Sequence, residues 1–221
     1  MDTSLIIGAS GGIGQALSSA LTARGTAVTG LSRRDHGFDI TDPASVDAAL
    51  APLSGPFDLI FVATGGLEIN GQRPEKSFKE VTAQSLADQF ALNCIGPSLV
   101  LKHAPRLLPR DRRAIFAALS ARVGSIGGNG YGGWYGYRTA KAALNQMVHT
   151  GAIELARSHR ASICVTLHPG TVDTALTARY ARGHPTVTPD TAAANLLSVL
   201  DGLTPDDTGR FFVWSGTPVP W

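Results

Sequence analysis

The fold is decided by residues 5–14, which read Leu5-Ile6-Ile7-Gly8-Ala9-Ser10-Gly11-Gly12-Ile13-Gly14. The apolar residues predict a buried strand, the glycines a tight turn, and the segment from Gly14 onward a helix. Gly8 can turn the chain tightly, Gly12 lets backbone approach a diphosphate, and Gly14 lets the helix pack closely on the strand. The free N–H groups at the start of that helix therefore predict a phosphate site. The alternative, a tight turn without a ligand, is disfavoured by the strand–turn–helix context.

The rest of the chain repeats the alternation of strand and helix. Short apolar runs predict buried strands at Ser4–Ile7, Ala27–Leu31, Leu59–Ala63, Ala114–Leu119, Ile163–His168 and Phe211–Trp214. Amphipathic or alanine-rich segments predict helices at Gly14–Ala23, Ser45–Leu50, Gln84–His103, Tyr137–Arg157 and Pro189–Leu200. A weaker strand is predicted around Phe38–Ile40. The pattern predicts an α/β fold: a Rossmann-type doubly wound parallel β-sheet with helices on both faces, formed as a single domain by residues 1–221.

The composition argues against several other classes of protein. Hydrophobic residues make up 43% and charged residues 16% of the chain, which argues against disorder. A net charge of only +2 predicts no nucleic-acid partner. Because no apolar run approaches a membrane span and no signal peptide is recognisable, we expect a cytoplasmic protein without a membrane contact. Cys94 and Cys164 predict buried free thiols, and the six histidines lack metal-ligand spacing.

The end of the second predicted strand bears on the choice of cofactor, because it reads Leu31-Ser32-Arg33-Arg34. An NAD site usually places an acid there, whereas arginine can pair with the 2′-phosphate of NADP. We therefore expect NADP(H), with Arg33 on the phosphate and with Ser32 and Arg34 assisting. The alternative is NAD(H), with two solvated arginines at a strand end.

Tyr137 and Lys141 begin the fourth predicted helix at a spacing of i, i+4, which places both side chains on one face. Such a pair occurs by chance in many helices, but it has a chemical use. Hydride transfer to a carbonyl needs a proton donor, and alcohol oxidation needs a base. A lysine ammonium beside a phenol lowers its pKa from the usual value of about 10. A larger fraction of the phenol is then ionised near neutral pH and can act as a base. Tyr131 and Tyr135 lack a lysine four residues on, so Tyr137 is the candidate.

Taken together and in order, these motifs resemble those of the short-chain dehydrogenase/reductase family, of the compact single-domain type. The matching residues span nearly the whole chain: Gly8-x-x-x-Gly12-x-Gly14, Asp39-Ile40, Asn93, Tyr137-x-x-x-Lys141 and Pro169-Gly170-Thr171-Val172-Asp173-Thr174. Within the family, residues 120–126 and 216–221 are most similar to the C-factor-like and sniffer-like carbonyl reductases.

The resemblance implies an enzyme that transfers a hydride between NADP(H) and a small carbonyl or alcohol substrate. Tyr137 would be the acid or base, Lys141 would lower its pKa and hold the nicotinamide ribose, and Asn93 would hold a water in a proton relay. Cofactor contacts are implied at Gly8, Ser10, Gly12, Ile13, Gly14, Ser32, Arg33, Asp39, Ile40, Ala63, Gly65, Tyr137, Lys141, Pro169, Gly170, Thr171 and Thr174.

The resemblance also implies the surroundings of these contacts. Asp39 and Ile40 would contact the adenine, and residues 169–174 would lie along the nicotinamide. The loop Ala175–Val187 would cover the substrate. The family is usually dimeric or tetrameric through the helices that hold Asn93 and Tyr137, so a homodimer or homotetramer is expected by analogy.

Three positions depart from the family pattern or stay open. The substrate-orienting serine is Ser120, which directly follows the strand Ala114–Leu119, or Ser125, whose spacing from the tyrosine is nearer the usual one; we favour Ser120. The usual Asn-Asn-Ala-Gly run is replaced by Ala63-Thr64-Gly65-Gly66, so a different brace for the sheet is expected. The aromatic residues of the segment 131–135 either line an apolar pocket or pack the loop or a subunit contact: Tyr131, Trp134 and Tyr135.

Two other functions compete with this interpretation. The glycine spacing Gly8-x-x-Gly11-x-x-Gly14 also fits epimerases or dehydratases of the extended branch, but only about fifty residues follow Pro169-Gly170, too few for their added domain. A nucleotide-binding regulator with little catalysis is the second alternative, which the altered Ala63–Gly66 turn leaves open.

Overall fold

The computed structural model describes residues 1–180, 183 and 185–221. Strands and helices alternate along most of the chain, as the apolar pattern predicts. In chain order they are β1 (Thr3–Ile7), α1 (Gly12–Ala23), β2 (Ala27–Leu31), α2 (Arg33–His36), α3 (Pro43–Leu50), β3 (Leu59–Val62), α4 (Ala83–Phe90), α5 (Gly96–Lys102), α6 (Ala104–Leu107), β4 (Ala114–Leu119), α7 (Tyr135–Leu155), β5 (Ser162–His168), α8 (Pro189–Gly202) and β6 (Phe211–Val213).

The strands form one six-stranded sheet in the order β2-β1-β3-β4-β5-β6, and each neighbouring pair is parallel. The predicted Rossmann-type doubly wound sheet is therefore confirmed. Strands β3 and β4 are buried along their whole length, as expected for a sheet that is covered on both faces. One core layer packs α3, α5 and α7 against the sheet, and the other packs α1 and α8. Because the winding reverses between β1 and β3, a crevice opens at the carboxyl ends of these strands.

The glycine turn has the geometry that its spacing predicts. Gly8 has a φ of 86°, which favours glycine, and its N–H donates to the carbonyl of Leu31. A Cβ added to Gly14 would lie 2.1 Å from the carbonyl oxygen of Gly8. Glycine at position 14 is therefore what allows α1 to start so close to the end of β1.

The weak strand predicted at Phe38–Ile40 is wrong. Ser32 caps the short helix α2, and Gly37 then turns the chain with a φ of 64°. The carboxylate of Asp39 accepts hydrogen bonds from the N–H and hydroxyl of Thr41, which makes a local turn and not a ladder. Phe38 and Ile40 are buried in the core, so their apolar character reflects packing beyond the sheet edge.

The predicted helix Gln84–His103 is continuous in outline but irregular at its centre. A π-helical segment, Ala91–Ile95, joins α4 to α5 and holds Asn93. A π-helical turn rotates the side chains relative to a regular helix, and such turns are frequent at functional sites. Both cysteines are free and buried, as their apolar neighbours predict.

Candidate active site

A cleft of about 420 Å³ lies at the carboxyl ends of β1, β2 and β3, where the strand order reverses. Eight of the expected cofactor contacts line it: Gly8, Ser10, Ser32, Arg33, Asp39, Ile40, Ala63 and Gly65. Ile13 does not line this cleft and instead packs against the core layer under α1. These eight residues come from three separate segments of the chain, which the parallel strands bring to one edge of the sheet.

The start of α1 lies at one end of this cleft with its N–H groups uncapped. Its N-cap residue, Gly11, makes no side-chain cap, and no acidic residue occupies the first turn. A Cβ added to Gly12 would lie 2.9 Å from the Cγ2 atom of Thr174, so the segment after β5 reaches across to this turn. Uncapped N–H groups at the positive end of a helix suit a diphosphate, which is what a dinucleotide would place here.

The end of β2 presents one arginine to the cleft. Arg33 lines the cleft and takes part in none of the ion pairs between described residues. Arg34 instead pairs with Asp35 at 3.1 Å. The hydroxyl of Ser32 donates to Asp35 and accepts from its N–H, which caps α2. Of the three expected phosphate contacts, only Arg33 is therefore uncommitted.

Helix α7 begins two residues earlier than predicted and buries Tyr137 and Lys141 on one face. The ammonium of Lys141 lies 5.8 Å from the centroid of the Tyr137 ring and donates to the carbonyl of Leu119 at 2.8 Å. A Cβ built on Gly65 would lie 3.5 Å from the Lys141 nitrogen. The lysine thus connects the helix to the end of β4 and to the turn after β3.

Burial shifts both of these groups toward their neutral forms. Removal from water raises the pKa of the Tyr137 phenol well above its ordinary value. The same loss of hydration lowers the pKa of Lys141 to about 7, because an ammonium is costly in an apolar interior. In the protein by itself, Tyr137 is therefore a protonated phenol, which is the form that donates a proton.

The two candidate serines have different surroundings. Ser120 follows β4 directly and is buried, and its hydroxyl has no hydrogen-bond partner among the described residues. Ser125 is also buried, but its hydroxyl donates to the carbonyl of Pro220 and accepts from the N–H of Gly128. The Ser125 hydroxyl therefore fastens a loop to the C-terminal segment, whereas the Ser120 hydroxyl is free to meet a ligand.

Asn93 holds the turn after β3, where the Asn-Asn-Ala-Gly run is absent, whereas the different brace expected for the sheet stays a prediction. Its side-chain oxygen accepts from the N–H of Gly66 at 3.1 Å, and its side-chain nitrogen donates to the carbonyl of Gly66 at 2.9 Å. The same nitrogen also donates to Gln89 at 2.8 Å. Asn93 therefore holds the helical segment to the turn after β3 through both the backbone N–H and the carbonyl of Gly66, although the turn itself contains no asparagine.

Aromatic side chains form a wall beside Tyr137. Trp134 packs edge-on against Tyr137 at 6.2 Å between centroids and against Tyr180 at 5.6 Å. Tyr131 is 97% exposed, and Tyr135 packs on Phe78 at 4.9 Å, so neither belongs to this wall. Of the three aromatic residues that the sequence left between a pocket and a packing role, only Trp134 therefore lies beside Tyr137, the candidate catalytic residue.

The segment after β5 is held against the loop after β3. Glu68 accepts a hydrogen bond from the hydroxyl of Tyr180 at 2.6 Å and pairs with Arg179 at 3.2 Å. Part of the expected substrate loop Ala175–Val187 lies outside the described residues, at positions 181, 182 and 184. Its described part therefore borders the site through Tyr180.

Several residues of the site could not be read from sequence motifs. Gln89 had a usable signal, because it precedes Asn93 by four residues on the same predicted helix face. Glu68 and Tyr180 are 112 residues apart and carry no local signal of their contact. Within the described part of the chain, no three metal-ligating side chains form a cluster, and no helix is long and apolar enough to cross a membrane.

The parallel sheet, the glycine turn and the buried tyrosine–lysine pair together define a dinucleotide-binding oxidoreductase fold. Residues 36–214 match the family model described as Enoyl-(Acyl carrier protein) reductase. The chain belongs to the short-chain dehydrogenase/reductase family.

Two relatives and two solved structures show how far this likeness extends. The chain is 31% identical over 236 residues to 1-hydroxy-2-glutathionyl-2-methyl-3-butene dehydrogenase of Rhodococcus sp. (strain AD45), with 100% of both chains covered. It is 36% identical over 148 residues to C-signal of Myxococcus xanthus, covering 64% of this chain and 82% of the relative.

A short-chain dehydrogenase/reductase from Burkholderia multivorans with bound NADP is similar in structure, with a TM-score of 0.83 and 27% identity over 100% of this chain and 99% of that one. The carbonyl reductase Sniffer of D. melanogaster shares the fold, with a TM-score of 0.84 and 24% identity over 100% of both chains. The resemblance to C-factor-like and sniffer-like relatives is thus confirmed.

The burial of Lys141 predicts a pH-dependent stability. Since its pKa falls to about 7 in the folded chain but is about 10.4 when unfolded, the unfolded chain binds more protons between these values. Stability from this group therefore rises with pH across that window. The free energy of unfolding of wild type, relative to Lys141→Met, should rise by about 2 kcal/mol from pH 7 to pH 9.

Denaturant unfolding at both pH values measures this difference. Lys79→Met is the matched control, because Lys79 is exposed and its substitution should leave the pH dependence of stability unchanged. A difference between wild type and Lys141→Met that stays constant with pH would contradict a depressed lysine pKa.

Proposed function

We propose that the protein is an NADP(H)-dependent carbonyl reductase that acts on small, largely apolar carbonyl compounds. The observation that carries the proposal is the placement of Tyr137 and Lys141 on one buried face of α7. The hydroxyl of Ser120, which bonds to no described residue, lies at the adjoining end of β4. A proton donor, a cation and a free hydroxyl in a water-poor site are the groups that carbonyl reduction requires.

The preference for NADP(H) is supported by the charge at the end of β2. Arg33 lines the cleft without an ion-pair partner among the described residues, and arginine is suited to a 2′-phosphate. The related structure from Burkholderia multivorans holds NADP. We propose that the turn Gly8–Gly14 holds the diphosphate, that Asp39 and Ile40 contact the adenine, and that residues 169–174 lie along the nicotinamide. When bound, NADPH supplies the hydride.

Tyr137 is proposed to donate the proton to the oxygen of the reduced carbonyl. Its raised pKa keeps the phenol protonated until hydride transfer makes the substrate oxygen basic. Ser120 would donate a hydrogen bond to the same oxygen and orient it, because its hydroxyl has no hydrogen-bond partner among the residues that the structure describes. The hydrogen bonds of Ser125 to Pro220 and Gly128 favour Ser120 over Ser125 for that role.

Lys141 is proposed to hold the nicotinamide ribose and to favour the phenolate that remains after proton donation. Its pKa of about 7 lets it carry a charge near neutral pH and also release a proton there. Asn93 and Lys141 both border Gly65. A Cβ added to Gly65 would lie 3.2 Å from the side-chain oxygen of Asn93 and 3.5 Å from the side-chain nitrogen of Lys141. The relay water at Asn93 stays a prediction, because the Asn93 amide already clamps Gly66.

The lining of the site supports an apolar substrate. Tyr137 packs in a cluster with Leu67 and Ala121, and the partly buried side chains around it are Val123, Trp134 and Tyr180. Such a wall presents hydrophobic and aromatic surface and offers few groups that could recognise a charged substrate. The Rhodococcus relative is named as a dehydrogenase of a hydroxy compound that carries a glutathionyl group. That name agrees with carbonyl and alcohol chemistry at this site, whereas the apolar substrate is proposed from the lining alone.

The name of the Myxococcus relative, C-signal, supports a second candidate function, that of a signalling protein. In that alternative the chain would bind a nucleotide and signal through occupancy, with little turnover. Tyr137 separates the two functions, because its hydroxyl serves the chemistry and lies outside the cleft at the ends of β1–β3.

Replacement of Tyr137 by phenylalanine should abolish most turnover. Loss of the general acid should lower kcat by roughly 10²–10⁴-fold in NADPH-dependent reduction of aromatic and aliphatic ketones and aldehydes. The dissociation constant for NADPH, followed by cofactor fluorescence, should remain close to that of wild type. Tyr135→Phe is the control, since Tyr135 packs on Phe78 and should keep full activity. Undiminished turnover in Tyr137→Phe, or none in wild type, would refute the proposed chemistry.

Replacement of Arg33 by alanine should weaken NADPH binding by roughly tenfold to a hundredfold, the range expected for a charge-assisted phosphate contact. Binding of NADH should stay unchanged, because it lacks the 2′-phosphate. Arg34→Ala is the matched control, since Arg34 pairs with Asp35 and does not line the cleft. Equal affinity of wild type for both cofactors would instead point to an NAD-dependent dehydrogenase.

Assembly through the helices of Asn93 and Tyr137 stays a prediction. Apolar side chains are exposed on these helices at Ile95, Met147 and Ile153, between 44% and 54%. Their burial in a homodimer or homotetramer would remove apolar surface from water. Light scattering at micromolar concentration measures the mass, and a monomer would contradict the assembly.

A further inference from the structure

A buried carboxylate lies close to the site and belongs to none of the motifs. Glu75 is in the loop between β3 and α4, and its residue is only 3% exposed. It takes part in none of the ion pairs between described residues. Because an unpaired buried charge is costly, the carboxylate requires hydrogen-bond donors around it.

These donors come from the first turns of two helices. One oxygen of Glu75 accepts from the N–H of Gly136, in α7, at 3.0 Å. The other accepts from the hydroxyl of Ser85, in α4, at 2.8 Å. The backbone carbonyl of Glu75 also accepts from the N–H of Trp134. One residue thus ties together the helix that leads to Asn93 and the helix that carries Tyr137 and Lys141.

Helix α7 depends on this outside contact because it has no cap of its own. Its N-cap residue is Trp134, with a φ of 52° and no side-chain hydrogen bond. The first N–H groups of a helix need acceptors, and negative charge there is favoured by the helix dipole. Gly136 leaves the room required, since a Cβ would lie only 3.0 Å from a carboxylate oxygen of Glu75.

We propose that Glu75 is a positioning residue that fixes the first turn of α7, and with it the phenol of Tyr137, relative to α4 and to the loop that follows β3. Tyr137 directly follows Gly136, so release of the Gly136 N–H would free the turn that carries the phenol. The proposal rests on the proposed role of Tyr137. A displacement of about 1 Å between reacting groups is enough to slow catalysis substantially.

Two variants and a control test this role in the full chain. Glu75→Ala removes both hydrogen bonds of the carboxylate. Glu75→Gln keeps an oxygen for Gly136 and an amide that can donate to Ser85. Glu80→Ala is the matched control, because Glu80 is an exposed glutamate of the same loop whose carboxylate accepts from the N–H of Lys76, within its own loop.

Hydrogen–deuterium exchange of the first turn of α7 is the readout that does not require turnover. Loss of a helix cap should accelerate exchange there by roughly fivefold to thirtyfold in Glu75→Ala. Steady-state kinetics should show kcat lowered by roughly tenfold to a hundredfold, with the dissociation constant for NADPH unchanged. Glu75→Gln should restore both values, and Glu80→Ala should match wild type in both.

A third variant, Gly136→Ala, keeps the test decisive if Glu75→Ala does not fold. Gly136→Ala retains the carboxylate but crowds it, and should change exchange and kcat in the same direction. Unchanged hydrogen–deuterium exchange in the first turn of α7 would show that Glu75 does not anchor this turn. Faster exchange there with an unchanged kcat would show that Glu75 does not position Tyr137. Wild type without activity on any carbonyl would refute the proposed function, while the exchange comparison would still decide whether Glu75 anchors α7.

Discussion

The parallel direction of all six strands is the constraint on which the rest of this protein depends. Parallel strands end at the same edge of the sheet, so residues far apart in the chain meet there. Gly8 follows β1, Arg33 follows β2, Gly65 follows β3 and Ser120 follows β4. The cleft at this edge is therefore a consequence of strand direction, with α1 supplying uncapped N–H groups and α7 carrying Tyr137 and Lys141.

Burial controls the chemistry at this edge. The interior that covers Tyr137 and Lys141 opposes charge on both, so the phenol holds its proton and the amine, with a pKa of about 7, loses its charge as the pH rises above that value. The carbonyl of Leu119 offsets part of the cost for the lysine through a hydrogen bond. A protein that is built only for stability would avoid a buried lysine, and its presence is therefore a signature of function.

Loops complete the site through contacts that cross long stretches of sequence. Glu68 fastens the segment after β5, Glu75 joins the first turns of α4 and α7, and Asn93 clamps the turn after β3. The contacts of Glu75 and Asn93 satisfy polar groups that would otherwise be buried without partners, whereas the contact of Glu68 is partly exposed. The loops beside Tyr137 are held in place by hydrogen bonds, while the aromatic wall supplies the apolar surface.

The sequence by itself determined the order of strands and helices, the glycine turn and the shared face of Tyr137 and Lys141, because these follow from local periodicity and from spacings of a few residues. It could not decide that Phe38 and Ile40 are buried without a ladder partner, since apolar character reports burial and not pairing. Only the tertiary structure showed that the hydroxyl of Ser125 donates to Pro220, 95 residues away, and that the hydroxyl of Ser120 has no partner in the described part of the chain. Hydrogen-bond partners this distant are set by how the whole chain packs, and no local pattern encodes them.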